Sequence, residues 1–266
     1  MNSEFTKELF LNKGLIGKID KVIYLKELDS TNKYAKQYLS EFPEADNTLI
    51  FTSHQTNGIG RFNRKWYSSP NENLTFTLIK KFNLAVDEVY KVNFYSSYIL
   101  YITLNEVFKN EKDMNFILKW PNDLLLNNKK VSGFLFEVKD INIKEKTFII
   151  GCGVNVNQTA FDNSIQEKTT SLKLNSEIEF YPENILNSYL KNFYEKISIL
   201  NDSNYLIEKW RSSSILSGKI ITFKKYNDGI SESATFEGIG NDGALCLRDG
   251  EGKIKKYYSG EITLSV

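Results

Sequence analysis

Residues Gln55 to Trp66 read Gln-Thr-Asn-Gly-Ile-Gly-Arg-Phe-Asn-Arg-Lys-Trp, with two glycines ahead of three cations. Gly58 and Gly60 let backbone N–H groups approach an anion, and Arg61, Arg64 and Lys65 supply positive charge. A guanidinium holds a phosphate or carboxylate through two parallel hydrogen bonds. A solvated surface loop would use the same residues. Lys119–Trp120–Pro121–Asn122–Asp123 is a second candidate. Its proline ends a strand ladder and presents Asn122 and Asp123 at the strand end, although an Asx-rich turn reads alike. A third is Lys129–Lys130–Val131–Ser132–Gly133. Lys130 and Asp123 fall on opposite arms of one hairpin and could face one site, while an exposed turn lysine is the ordinary alternative. The fourth is Gly151–Cys152–Gly153–Val154–Asn155–Val156–Asn157. Glycines at alternate strand positions bare one face to a flat ring such as adenine, whose edge Asn155 could read. A bulged core strand would look the same.

The elements that must position these segments follow from periodicity. Lys21–Glu27, Thr48–Ser53 and Asn73–Lys80 are predicted strands, rich in β-branched and aromatic residues. Ser30 is placed as the N-cap of a helix over Thr31–Leu39. The polar stretch Gln55–Pro70 is a long loop of the kind usually kept for function. A helix is expected over Val86–Lys109, then strands at Phe116–Trp120, Asp123–Leu126, Val131–Val138 and Thr147–Asn155. Asn127–Asn128–Lys129 fits a hairpin turn because Asn tolerates positive φ. Glu183–Leu200 is the clearest amphipathic helix, with Ile185, Tyr189, Phe193, Ile197 and Leu200 on one face. Beyond Trp210 and Ser212–Ser214 the character changes to short strands at Lys219–Phe223, Thr235–Glu237, Ala244–Leu247 and Lys255–Tyr258. Asn227–Asp228–Gly229, Asn241–Asp242–Gly243 and Asp249–Gly250 punctuate them, which suggests a small β-barrel.

Composition narrows the class. Thirty-four basic and 33 acidic residues leave a net charge of +1, which argues against broad non-specific binding to nucleic acid. One histidine, His54, excludes His-rich metal sites. Cys152 and Cys246 lack metal-ligand spacing and read as reduced core thiols. Met1–Lys13 has no continuous apolar region of the signal-peptide kind, and no run of about 18 apolar residues exists to span a membrane. A cytoplasmic location is expected.

Taken in order, these segments resemble the catalytic domain of biotin–protein ligases. Asp29–Ser30–Thr31–Asn32 is similar to the family's DSTN biotin-pocket motif. The Gly-rich loop, KWPND, KxxG (Lys130 to Gly133) and GxGxNxN (Gly151 to Asn157) follow, and the C-terminal barrel also fits. No single motif is decisive, but five in the right order form a specific signature. The resemblance implies an α+β fold of the class II aminoacyl-tRNA-synthetase-like, biotin–lipoate ligase type. That fold has a mixed sheet with flanking helices in residues 1–214 and a Src-homology-3-like barrel in residues 215–266.

The implied activity joins biotin to a lysine through a carbon–nitrogen amide bond, with ATP as co-substrate and Mg2+ as cofactor. Lys130, Arg61 and Asp123 are the implied catalytic residues, Asp123 as a magnesium contact or an aid to deprotonating the acceptor lysine. Biotin would be bound by Ser30, Thr31, Asn32, Gln55, Gly58, Ile59, Gly60, Arg61, Lys130, Gly133, Gly151 and Gly153. ATP would be bound by Arg61, Arg64, Trp66, Lys119, Asn122, Lys130, Val154 and Asn155. The implied partner is a biotin carboxyl carrier domain of a biotin-dependent carboxylase, with a homodimer expected and no DNA or membrane.

The family's GRGRxGRxW appears here with Ile59 in place of an Arg and Asn63 in place of a Gly. These departures bear on how firmly the loop closes over the adenylate. The segment ahead of the first strand is expected to be too short for a helix-turn-helix domain, so no repressor function is expected. Two alternatives remain: a lipoate–protein ligase and a non-catalytic biotin-binding module.

Overall fold

The structure is a computed structural model that describes Leu15 and residues 17–140, 143–176, 178–214, 218–225 and 231–264. The segment Met1–Lys13 and the turn Asn227–Asp228–Gly229 lie outside the described residues. Seven strands form the larger sheet: β1 (Lys21–Leu25), β2 (Thr48–Thr52), β5 (Asn73–Asn83), β6 (Phe116–Lys119), β7 (Asp123–Leu126), β8 (Lys129–Lys139) and β9 (Glu145–Asn155). Their spatial order is β1-β2-β5-β9-β8-β7-β6. The β1–β2 pair is parallel and the others are antiparallel, so the sheet is mixed.

Side-chain alternation along β9 divides the two faces. Phe148, Ile150, Cys152 and Val154 point into the main core, which is closed by α2 (Tyr90–Val107), α3 (Pro182–Glu195) and α4 (Ser203–Ser213). Ile149 points the other way and packs with Ala35 and Leu39 of α1 (Thr31–Glu41). Gly151, Gly153 and Asn155 share that second face but lie beyond the end of α1. The sheet is therefore open there, at the N-terminus of α1. Helix α1 starts where Ser30 predicts, although no side-chain cap bond forms and the Ser30 N–H donates to Asp29 Oδ1 (2.7 Å).

Helix α4 was not expected from periodicity. Its Trp210, placed at the change of character, is fully buried, stacks on Phe94 (centroids 4.7 Å apart) and donates Nε1–H to the Phe94 carbonyl (2.9 Å). The predicted helix Glu183–Leu200 is split, with α3 giving way to a 3-10 turn over Ile197–Asn201. The Asn turn holds as expected, with Asn127 and Asn128 at φ 50° and 66°.

A second, five-stranded antiparallel sheet follows. It comprises β10 (Ile220–Lys224), β11 (Ser231–Ile239), β12 (Leu245–Arg248), β13 (Ile254–Tyr257) and β14 (Glu261–Leu264), in the order β13-β12-β11-β10-β14. Strand β14 had no counterpart among the predicted strands, and it reaches the open end of the larger sheet. The turn after β11 seats this sheet. Gly243 sits at φ 75° against the Tyr90 ring, and its carbonyl accepts from Trp120 Nε1 (3.2 Å). Tyr90 Oη donates to the Asn241 carbonyl (3.0 Å) and Arg211 Nε to that of Ile239 (2.7 Å). No described helix is long and apolar enough to cross a membrane.

Candidate active site

The open end of the sheet forms a cleft of about 600 Å³. The N-terminus of α1 contributes Ser30, Thr31 and Asn32 to it, and Gln55 lies beside them. Gln55 Oε1 accepts from the Thr31 N–H (2.8 Å) and Oγ1 (3.1 Å), which leaves its amide N–H groups outside that pair. Asn32 is more fully engaged. Its Oδ1 accepts from Thr77 Oγ1 (2.6 Å), and its Nδ2 donates to the Leu135 carbonyl and Glu137 Oε1 (both 3.2 Å). Asn32 thus forms floor, lying flat on Gly151, where a Cβ would collide with its amide.

Beside this pocket the Gly-rich loop folds as a small hairpin of β3 (Gly58–Ile59) and β4 (Lys65–Trp66), with Phe62 and Asn63 both in left-handed conformation (φ 59° and 57°). Asn63, where the motif has Gly, tolerates that region better than most residues. The hairpin lays the Trp66 indole on Gly153, where any Cβ would strike the ring. The face expected to receive adenine is therefore already covered by Trp66 and Asn32. A ring entering the cleft would meet the indole and not the bare strand.

The reacting centre lies beside the indole. Lys130 Nζ is 2.6 Å from Asp123 Oδ1 and 5.8 Å from the Trp66 ring centroid. In a regular strand Lys130 would share a face with Ser132 and Phe134, which point to the core. The β7–β8 register slips between Leu124 and Leu125, and this bulge turns Lys130 onto the cleft face with Gly133. Gly133 leaves the room required, since a Cβ there would stand 3.0 Å from Lys130 Nζ and 3.2 Å from Asp123 Oδ1.

Burial pushes the Asp123 carboxyl upward, but Lys130, Lys119 and Arg61 together outweigh it and hold it below its ordinary range. Lys119 Nζ is 3.9 Å from the other carboxylate oxygen, and burial lowers its pKa against the pull of Asp123. With an ammonium beside each oxygen, Asp123 is a poor candidate for the expected magnesium contact. Among the described residues no group of three or more His, Cys, Asp or Glu could hold a metal ion.

Arg61 Nη1 donates to Asn122 Oδ1 and to the Gly260 carbonyl (both 3.3 Å). Asn122 is itself locked by Nδ2–H donation to the Phe134 carbonyl. Arg64 makes a two-pronged pair with Glu261 of β14.

Of the residues expected from sequence, the structure brings all but two to the lining of this one cleft. Val154 is fully buried in the core on the opposite face of β9, because its position is odd relative to Gly151, Gly153 and Asn155. Gly58 lies beneath the loop, where a Cβ would press on Gln55 and Trp66. Asn155 reaches the cleft but spends its amide on the Thr170 carbonyl (3.0 Å).

Sequence reasoning missed one whole wall. Phe161, Ser164, Ile165, Glu167, Lys168 and Thr169 line the cleft, held there by backbone bonds from Lys130 N to Lys168 O (2.8 Å) and from Thr170 N to Lys130 O (2.9 Å). No motif marks this segment. Glu261 and Thr263 of β14 were also missed.

Comparison with known proteins decides among the readings of such a cleft. Residues 24–155 match the model of the Biotin/lipoate A/B protein ligase family, and residues 216–265 match that of the Biotin protein ligase C terminal domain. The chain belongs to the biotin protein ligase family. "Bifunctional ligase/repressor BirA" of Bacillus subtilis is 28% identical over 247 residues, covering 91% of this chain and 74% of that protein. "Biotin--[acetyl-CoA-carboxylase] ligase" of Paracoccus denitrificans is 26% identical over 235 residues, covering 86% of this chain and 95% of that protein. Among solved structures, the biotin protein ligase from Aquifex aeolicus in complex with biotin and ATP superposes with a TM-score of 0.75 at 26% identity. That superposition covers 93% of this chain and 99% of that one. The biotin protein ligase fold accounts for both sheets, the mixed one and the C-terminal antiparallel one.

Proposed function

We propose that this chain activates biotin with ATP and transfers it to a lysine of a biotin carboxyl carrier domain. The observation that carries the reading is the placement of Lys130. Its ammonium stands beside Asp123 and the Trp66 ring, in one cleft with Ser30, Thr31 and Gln55 and with Arg61 and Arg64. A carboxylate held by the first group and a nucleotide held by the second would meet beside it.

In the first step a carboxylate oxygen of biotin attacks the α-phosphorus of ATP, and the bond to the β-phosphate oxygen breaks, releasing pyrophosphate. Both partners are anionic, so Lys130, Arg61 and Arg64 offset their repulsion and the charge developing on phosphorus. In the second step a neutral lysine amine attacks the acyl carbon of biotinyl-5′-AMP, and AMP leaves. Asp123 is ionised and held low, which makes it a weak base but a steady negative charge that keeps Lys130 in place. The Gly-rich loop and the 161–169 wall shield the mixed anhydride from water until the acceptor arrives.

A carboxylase carrier as acceptor is supported by the name of the Paracoccus denitrificans relative. Residues 1–214 and 215–266 are proposed as the two structural units, joined just past α4. The decisive experiment is ATP–pyrophosphate exchange run with biotin, with lipoate or with neither. Exchange supported by biotin alone is expected. Exchange with lipoate alone would replace this reading with lipoate ligation, and exchange with neither would leave a biotin-binding module.

A further inference from the structure

Two arginines of the Gly-rich loop face the cleft, and the C-terminal sheet treats them differently. The acceptors that Arg61 meets, Asn122 Oδ1 and the Gly260 carbonyl, are both uncharged. No carboxylate is bonded to it, although those of Asp123 and Glu261 act on it from further off. Arg64 is instead matched by both oxygens of the Glu261 carboxylate. That pair holds Glu261 below its ordinary range and raises Arg64. A planar carboxylate on a guanidinium fork has the geometry that a phosphate takes on the same fork. The pair is also accessible, with Arg64 55% and Glu261 31% exposed at the side chain. An ion pair so open to water is weak and readily exchanged.

Resting on the ATP-dependent reading above, we propose that Glu261 is a built-in competitor for the triphosphate and sets the ligase's affinity for ATP. In the empty protein its carboxylate occupies Arg64 and tethers the loop to β14. On arrival ATP displaces it, and Arg64 exchanges a carboxylate for phosphate oxygens. The loop is also held by the two-residue strands β3 and β4, by the bond from Gly60 N to Arg64 O (2.7 Å), by Arg61 on Asn122 and the Gly260 carbonyl, and by Trp66 on Gly153. Because those anchors do not involve Glu261, Arg64 exchanges its partner while the rest of the loop stays in place. Glu261 is a positioning residue that acts through Arg64.

The test is calorimetric titration of the full chain with a non-hydrolysable ATP analogue, comparing the unsubstituted protein with Glu261→Gln, Glu261→Asp, Arg64→Gln and the Glu261→Gln/Arg64→Gln double variant. Glu261→Gln is expected to bind about fivefold tighter, equivalent to about 1 kcal/mol, the upper range for an exposed ion pair. Its ligand-free melting temperature should not rise. A residue with a purely structural role would weaken binding, so the opposite sign is diagnostic. Glu261→Asp keeps the charge and should stay within about twofold of the unsubstituted protein. In the Arg64→Gln background, Glu261→Gln should have no effect.

Unchanged or weaker binding in Glu261→Gln would overturn the proposal. So would tighter binding that persists without Arg64, since that would be a through-space charge effect. If the unsubstituted chain bound no ATP analogue, the functional reading would fall and this inference with it.

Discussion

Lys130 and Asp123, on opposite arms of the β7–β8 hairpin, form an ion pair of 2.6 Å that exists because a bulge turns the lysine onto the cleft face. The pair places a cation where biotin's carboxylate and the α-phosphate would meet, and restrains it before either substrate arrives. Lys130→Ala should cut biotin-dependent pyrophosphate exchange by at least about 100-fold, the cost of losing one preorganised charge at a developing anion. Normal exchange in that variant would remove Lys130 from the mechanism.

Arg61 links the loop to Asn122 and to the Gly260 carbonyl. Arg61→Gly cuts both links and removes the charge that faces the adenylate. Adenylate should still form but escape, so that lysines of bystander proteins become labelled. Streptavidin blotting of a mixture of unrelated proteins checks this. Background labelling alongside intact adenylate synthesis would assign adenylate retention to another residue.

Gly153 is the seat of the Trp66 indole. Gly153→Ala should lift the ring, and overpacking of this kind typically costs about 1–3 kcal/mol. The loss should fall on ATP affinity, about tenfold, with biotin affinity less changed because Thr31 and Gln55 are held by their own hydrogen bonds and not by the indole. Separate titrations with the two ligands distinguish this from a general loss of fold, which would weaken both.

Asp242 lies in the turn that seats the C-terminal sheet. Hydrogen bonds from Lys256 and Tyr258 (2.9 and 2.8 Å), with one from the Ala244 N–H, bring its pKa down from 3.8 to about 2. A group whose pKa is depressed on folding stabilises the protein above its unfolded value and loses that contribution as pH falls through the folded one. Asp242→Asn should therefore lower the melting temperature at pH 7, by a modest amount because the site is partly exposed. The gap between variant and parent should close as the pH falls from about 4 toward 2. A gap independent of pH would show that the carboxylate charge contributes nothing.

Local pattern carried much of this protein. The strands of the larger sheet contain β-branched and aromatic runs bounded by turn residues, and the two Asn residues at positive φ make the β7–β8 turn from their own chemistry. The five motifs could be read in order because each lies within a few residues of chain. Helix α4 escaped because its one strong feature, Trp210, is explained by Phe94, which is remote in sequence.

Other features belong to the tertiary structure alone. The bulge that aims Lys130 arises from the pairing of two strands, so period-two reasoning within β8 assigns the wrong face. Val154 was misplaced by the same rule read too loosely, since a strand gives alternate residues to opposite faces. The 161–169 wall is held by backbone bonds to Lys130, and backbone bonding leaves no side-chain signature in a sequence. Glu261 meets Arg64 across 197 positions of chain. Composition and motif determined which groups this ligase owns. Which of them oppose one another across the cleft was decided by the packing of the two sheets, because an ion pair depends on distance in space and not along the chain.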